Sequence, residues 1–122
     1  MKLRNHGNSV RVRLAQGEVR SLADGQRVEQ TTEFSASSRL IACVESSSNL
    51  ERATATFDGN RLTLSLPLDQ VRQWAATDKV GIEADQPIGD GRSQRIIVEK
   101  DFDCLHPRPE ENIDTFPNPK RS

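Results

Sequence analysis

The strongest constraint on this chain is an internal echo at an offset of 52 residues. Aligning residues 7–28 with 59–80 gives the identities Gly7/Gly59, Asn8/Asn60, Leu14/Leu66, Val19/Val71, Arg20/Arg72, Ala23/Ala75 and Val28/Val80. Composition alone would give roughly one or two matches in a window of that length. The apolar phase repeats as well. Val10, Val12 and Leu14 alternate with Ser9, Arg11 and Arg13, and Leu62, Leu64 and Leu66 alternate with Arg61, Thr63 and Ser65. That period of two is the mark of a half-buried strand. Both copies then change period. Val19, Leu22 and Ala23 stand at i, i+3, i+4, as do Val71, Trp74 and Ala75, so each copy should hold one short amphipathic helix.

Turn chemistry sets the limits of the remaining elements. Gly7-Asn8 and Asp58-Gly59-Asn60 separate alternating runs, which predicts hairpins of residues 1–5 with 8–14 and of 52–57 with 61–66. Pro67 suits the first turn of the second helix and Gly25 the position just past the first. After each helix come two more strands, 27–34 with 39–45 and 80–84 with 94–100. Arg39-Leu40-Ile41 answers Arg95-Ile96-Ile97 at an offset of 56, which places four extra residues in the loop 85–93 with its Pro87, Gly89 and Gly91. The expected fold is therefore α+β: a duplicated strand-strand-helix-strand-strand unit forming a curved sheet or partly closed β-barrel with two short helices. We read 1–122 as a single domain, with pseudo-repeats at 1–45 and 52–100, a polar joint Ser46-Ser47-Ser48-Asn49, and an extended proline-containing tail at 101–122.

A lean core is enough for one domain of this size: 34% of the 122 residues are apolar and 29% charged. The longest apolar run, Leu40-Ile41-Ala42-Cys43-Val44, is far short of the roughly 18 residues a membrane helix needs, so no membrane partner is expected. No apolar stretch follows the basic start Met1-Lys2-Leu3-Arg4, so no secretory signal is expected, the cytoplasm is the expected compartment, and Cys43 and Cys104 are expected to be reduced. The net charge of -1 gives no general attraction for nucleic acid. The charge is unevenly spread, however: residues 1–27 hold six basic against two acidic groups, while 99–114 hold six acidic against two basic.

Two resemblances add to this reading. Lys2-Leu3-Arg4, Gly7-Asn8-Ser9-Val10-Arg11-Val12-Arg13-Leu14, a short helix, and Asp24-Gly25-Gln26-Arg27-Val28-Glu29 resemble the swapped-hairpin barrels of the AbrB and MazE class of transcription factors and antitoxins. The match departs at Ala15, where that class has proline, and at Asp24-Gly25, which reverses its order. The resemblance implies nucleic acid as a partner, met by Lys2, Arg4, Arg11 and Arg13 on the hairpin strands. Those residues equally suit the solvent face of an edge hairpin. Over its whole length the chain resembles a family of small uncharacterised bacterial proteins. The residues that carry this are Gly7-Asn8-Ser9, Trp74-Ala75-Ala76-Thr77-Asp78-Lys79-Val80-Gly81-Ile82, Glu99-Lys100-Asp101-Phe102-Asp103-Cys104-Leu105-His106-Pro107-Arg108 and Phe116-Pro117-Asn118-Pro119. This second resemblance implies a stand-alone bacterial domain and assigns no site.

The densest reactive vocabulary is the segment holding Asp101, Asp103, Cys104, His106 and Arg108. Cys104 and His106 at i and i+2 share a face if extended, the geometry of a thiolate–imidazolium pair, but Glu99, Asp101 and Asp103 would hold the thiol protonated. The ordinary reading is a small apolar plug under the tail. His6, Cys43, Cys104 and His106 have the composition of a zinc site without metal-knuckle spacing. Gly89-Asp90-Gly91 lacks the lysine and helix of a phosphate loop and reads as a hairpin tip. No metal or cofactor is expected. The tail has Ile113 and Phe116 as its large apolar anchors and is expected to dock on the core. The expected function is a non-enzymatic binding or regulatory role, as monomer or homodimer, with protein as the first candidate partner. DNA binding by the basic strand face and thiol or metal chemistry at Cys104/His106 are the alternatives.

Overall fold

The computed structural model describes residues 1–102, 116, 117 and 119. Its elements run β1 (Lys2–His6), β2 (Ser9–Leu14), α1 (Gln16–Ala23), β3 (Val28–Ser35), β4 (Ser38–Ser47), β5 (Thr54–Asp58), β6 (Arg61–Pro67), α2 (Leu68–Ala76), β7 (Gly81–Gly89) and β8 (Arg92–Lys100). The fold is mostly β with two helices. Among the described residues no helix is long and apolar enough to cross a membrane.

The strands do not form one curved sheet or a closed barrel. They form two four-stranded mixed sheets, β1-β2-β8-β7 (sheet 1) and β3-β4-β6-β5 (sheet 2). Each sheet takes one hairpin from the first half of the chain and one from the second, joined at its centre by a parallel pair, β2 with β8 and β4 with β6. Neither half therefore completes a sheet by itself. Where a barrel would need a ladder between β5 and β7, a side chain stands in. The Gln86 amide nitrogen donates to the Ala55 carbonyl at 2.9 Å, and its amide oxygen accepts from the Ala55 N–H at 2.6 Å. One glutamine thus supplies the donor and acceptor that a neighbouring strand would have offered.

Strand register moves the expected insertion. Val28 faces Val44 across β3–β4, and Ile82 faces Val98 across β7–β8. Ile82, not Val80, thus occupies in sheet 1 the place that Val28 holds in sheet 2, an offset of 54. Exposure agrees, since Val28 and Ile82 are buried while Val80 is 50% exposed. The hairpin tips after β3 and β7 are the same length, so the extra residues enter between α2 and β7 and not in the loop 85–93. That stretch is mostly strand, with Pro87 on an edge where its missing N–H is harmless. The tip itself is Asp90-Gly91, both at positive φ (56° and 71°), as a tight hairpin turn requires.

The core lies between the sheets and under the helices, with Leu14, Leu22, Leu66, Val71, Trp74, Ile96 and Val98 all essentially inaccessible. The helices pack on each other and bury the predicted stripes: Val19 and Leu22 from α1, Val71 and Trp74 from α2. Trp74 satisfies its one polar atom by donating to the Val80 carbonyl at 3.0 Å. In place of the proline the sequence lacks, Ala15 caps the start of α1, its N–H donating to Glu18 at 2.9 Å. Past the end of the helix, φ of 82° at Gly25 lets the Gln26 N–H turn back to the Ser21 carbonyl at 2.8 Å.

Candidate functional site

Alternation sends Lys2 and Arg4 of β1, and Arg11 and Arg13 of β2, to the outer face of sheet 1. Register then sets them opposite one another, Lys2 against Arg13 and Arg4 against Arg11. Like charges directly across an antiparallel pair are destabilising, so packing alone would not select this arrangement. Together with Leu3, the four side chains line a hollow of about 100 Å³. The four residues singled out from sequence are therefore one cluster in space.

Two acids on neighbouring backbone hold the cluster in place. Glu99 of β8 lies beside Arg13 in the parallel pair; the Nε of Arg13 donates to its Oε1 at 2.9 Å, and the Nε of Arg11 lies 3.6 Å from the same oxygen. A guanidinium has five N–H donors in a planar fork. Contact through Nε orients both groups, whose side chains stay 38% and 41% exposed. Lys2 pairs with Asp101 at 3.0 Å. Asp101 is buried, fixed by donation of its N–H to the Leu14 carbonyl at 2.9 Å. Arg4 has no ion pair among the described residues. On the same face, Arg95 is neutralised by Glu83 and Asp85 of β7, so the unbalanced positive charge is confined to the β1–β2 side.

The reactive segment divides at Asp101. That residue is occupied with Lys2, while Asp103, Cys104, His106 and Arg108 lie outside the described residues. Of the zinc candidates, His6 is on exposed β1 of sheet 1 and Cys43 is buried in β4 of sheet 2, so these two are not brought together. Burial pushes the Cys43 thiol above its usual pKa, against a smaller opposing effect of Arg27, so at neutral pH the group is a protonated thiol. Among the described residues no cluster of His, Cys, Asp or Glu could hold a metal ion.

From the sequence Glu99 was an acid beside Cys104, not a partner of Arg11 and Arg13, and Lys100 had no role. Lys100 follows Ile96 and Val98 in the inward phase of β8 and is 6% exposed. Its ammonium donates to the Thr77 carbonyl at 2.7 Å, capping the C-terminal end of α2, and lies 5.1 Å from the centre of the Phe116 ring. Burial lowers its pKa, opposed by Asp78. Phe116 stacks edge-on to Phe102 at 5.9 Å and donates its N–H to the Asp101 carbonyl at 2.7 Å. This part of the tail is thus docked, on one wall of a hollow of about 510 Å³ beside Val80 and Pro117. A cation in the apolar phase of a strand was the available signal. The same residue has a complete structural role as a helix cap, which leaves the β1–β2 face as the better candidate site.

A family model described as a family of unknown function (DUF7009) matches residues 1–120. No curated protein and no solved structure matches the chain.

Proposed function

The chain belongs to this family of unknown function, and from its geometry we propose a non-enzymatic binding protein whose ligand surface is the Lys2/Arg4/Arg11/Arg13 face of sheet 1. The observation that carries the reading is the pair of like-charge cross-strand contacts around one hollow, with both central arginines held through Nε by Glu99. A fold has no need of such a cluster, and an anion supplies what it lacks. The partly exposed guanidinium groups suit the oxygens of a phosphate or carboxylate group. A compact anion fits better than a long stretch of duplex DNA, because Glu99 and Asp101 offset two of the four cations and Arg95 is neutralised beside them.

The test is a titration of the whole protein with inorganic phosphate and, separately, a short DNA duplex at low salt, followed by backbone NMR. Phosphate at about millimolar levels should shift the signals of β1 and β2, and Arg4→Gln with Arg11→Gln should abolish the shifts. Duplex binding tighter than about 10⁻⁴ M with a steep salt dependence would move the assignment to DNA. No response to either ligand would end the reading.

We also infer that the two halves descend from one duplicated unit. The sequence echo supports this, as does the matching order of the two sheets, since replacing each element by its counterpart turns β1-β2-β8-β7 into β5-β6-β4-β3.

A further inference from the structure

The inner face of sheet 2 has an apolar stripe that the core does not cover. Phe57 of β5 sits opposite Leu62 of β6, Leu62 opposite Ala42 of β4, and Leu40 stands two residues before Ala42 on the same face. Thr32 of β3 faces Leu40, and Phe34, two residues on, follows it in the inner phase as the unpaired residue of a bulge between Glu33 and Ser35. Phe34, Leu40, Leu62 and Phe57 thus cross all four strands on a diagonal, about 14 Å across the strands and about 13 Å along them at the usual spacings. The two phenylalanines are 68% and 66% exposed, and the leucines between them are half-buried.

The fold itself does not demand this stripe. The places that match it by register in sheet 1 hold Asn5, Val10, Gln94 and Ile88. There Asn5 and Gln94 are polar, Val10 is fully packed and Ile88 is 43% exposed. At two of the four places sheet 2 thus carries an apolar side chain, Phe57 or Leu40, where sheet 1 carries a polar one, and an exposed apolar patch costs solubility.

The surroundings say what covers it. Counted in twos along the strands, the inner face of sheet 2 presents Val28, Gln30, Thr32 and Phe34, then Ser38, Leu40, Ala42 and Val44, with no charged side chain; β5 and β6 add Ala55, Phe57, Leu62, Leu64 and Leu66. A charged peptide, a nucleic acid or an anionic lipid surface would find nothing to pair with. A second copy of the same face meets no like-charge repulsion, and an apolar stripe is self-complementary about a twofold axis. Edge pairing through β3 is the less suitable route, because Glu29 and Glu33 line that strand.

We propose that this stripe is the contact of a homodimer in which Phe34 of each copy packs against Phe57 of the other. The proposal is independent of the anion site on sheet 1. Two phenylalanines and two leucines form the centre of a small interface, under about 1,200 Å² in total, and such interfaces are weak. Dimerisation is therefore concentration-dependent.

The experiment is sedimentation equilibrium of the whole protein from about 5 to about 500 µM, at low salt and at about 0.5 M NaCl, where screening removes charge-driven association. A monomer–dimer equilibrium with a dissociation constant of tens to hundreds of micromolar is expected, no weaker at high salt. Phe34→Ser with Phe57→Ser should raise that constant at least about tenfold. Both side chains are exposed, so an unchanged circular dichroism spectrum and melting temperature are expected for the double variant. A wild type that stays monomeric throughout, a dimer that weakens with salt, or a folded double variant that associates equally well would each overturn the proposal.

Discussion

Replacing Gln86 tests the seam between the two sheets. Its carboxamide is the whole polar connection from β7 to Ala55 of β5, at 2.6 and 2.9 Å, and Ala55 is 6% exposed. Gln86→Leu keeps most of the volume and removes both partners. Each buried main-chain group left unpaired costs about 1–3 kcal/mol, partly relieved by water at an edge, so the expected loss is about 2–4 kcal/mol. For a chain of this size that lowers the melting temperature by roughly 8–15 °C. The Ala55 amide should also lose its protection from hydrogen exchange while those of β2 and β8 keep theirs.

Gln86→Glu refines the test. The introduced carboxylate can still accept from the Ala55 N–H, but it turns an oxygen toward the Ala55 carbonyl where an N–H had been. Its charged form is disfavoured in the folded state, so its folded pKa lies above the unfolded value of about 4.3. Below that value both states are protonated, the acid O–H can donate to the carbonyl, and the variant is most stable. As pH rises through the raised folded pKa, stability falls to its neutral-pH level. A loss under about 1 kcal/mol for the leucine variant, or an acid variant whose deficit from wild type is flat with pH, would refute the idea that one side chain replaces a strand ladder here.

Three further outcomes are expected. A Cβ at Gly81 would lie 2.5 Å from the Val98 carbonyl oxygen and 2.9 Å from the Glu99 Cβ, so Gly81→Ala should force β7 away from β8 and cost about 2–3 kcal/mol in chemical denaturation. Because burial lowers the Lys100 pKa, the unfolded chain holds that proton more tightly, and wild-type stability should rise relative to Lys100→Met as pH climbs toward 10.5; parallel pH–stability curves would contradict it. Cys43 is 2% exposed, with its thiol pKa raised, so in a Cys104→Ser background the native protein should resist alkylation at pH 8 and react fully once unfolded.

Local signals wrote much of this fold openly. The alternation of Val10, Val12 and Leu14 and of Leu62, Leu64 and Leu66 located β2 and β6 to within a residue, and the 3.6-residue spacing of Val71 and Trp74 located α2. The four cations of the candidate site were singled out through the resemblance to the swapped-hairpin class, and alternation explains why they share one face, since it decides which face a strand residue takes. Pairing between distant hairpins was not legible. The parallel contact of β2 with β8 joins Ser9 to Arg95, and no turn residue reports a partner so far away. The roles of Glu99, Gln86 and Lys100 were missed together because each acts across such a contact: Glu99 on arginines of β2, Gln86 on β5, and Lys100 on the end of α2. The offset misled where the identity of Val28 with Val80 outweighed Ile82, the residue that holds the matching register position in the other sheet.

The exchange of hairpins between halves has a consequence for how the two proposed surfaces work together. Glu99 and Asp101, which hold the basic cluster, come from the second half of the chain, while Lys2, Arg4, Arg11 and Arg13 come from the first. The site therefore exists only once both halves have joined. Phe34 and Leu40 belong to the first half and Phe57 and Leu62 to the second, so the stripe shares that dependence. The two surfaces lie on different sheets, one facing outward from sheet 1 and the other on the inner face of sheet 2. Association through the stripe leaves both basic clusters open, and a dimer presents two. A ligand with two anionic groups at the right spacing then binds with a gain in effective concentration that a single phosphate does not see. Phe34→Ser with Phe57→Ser should remove that gain while leaving the affinity for free phosphate unchanged, and an equal loss for both ligands would mean that the stripe and the cluster are not separate devices.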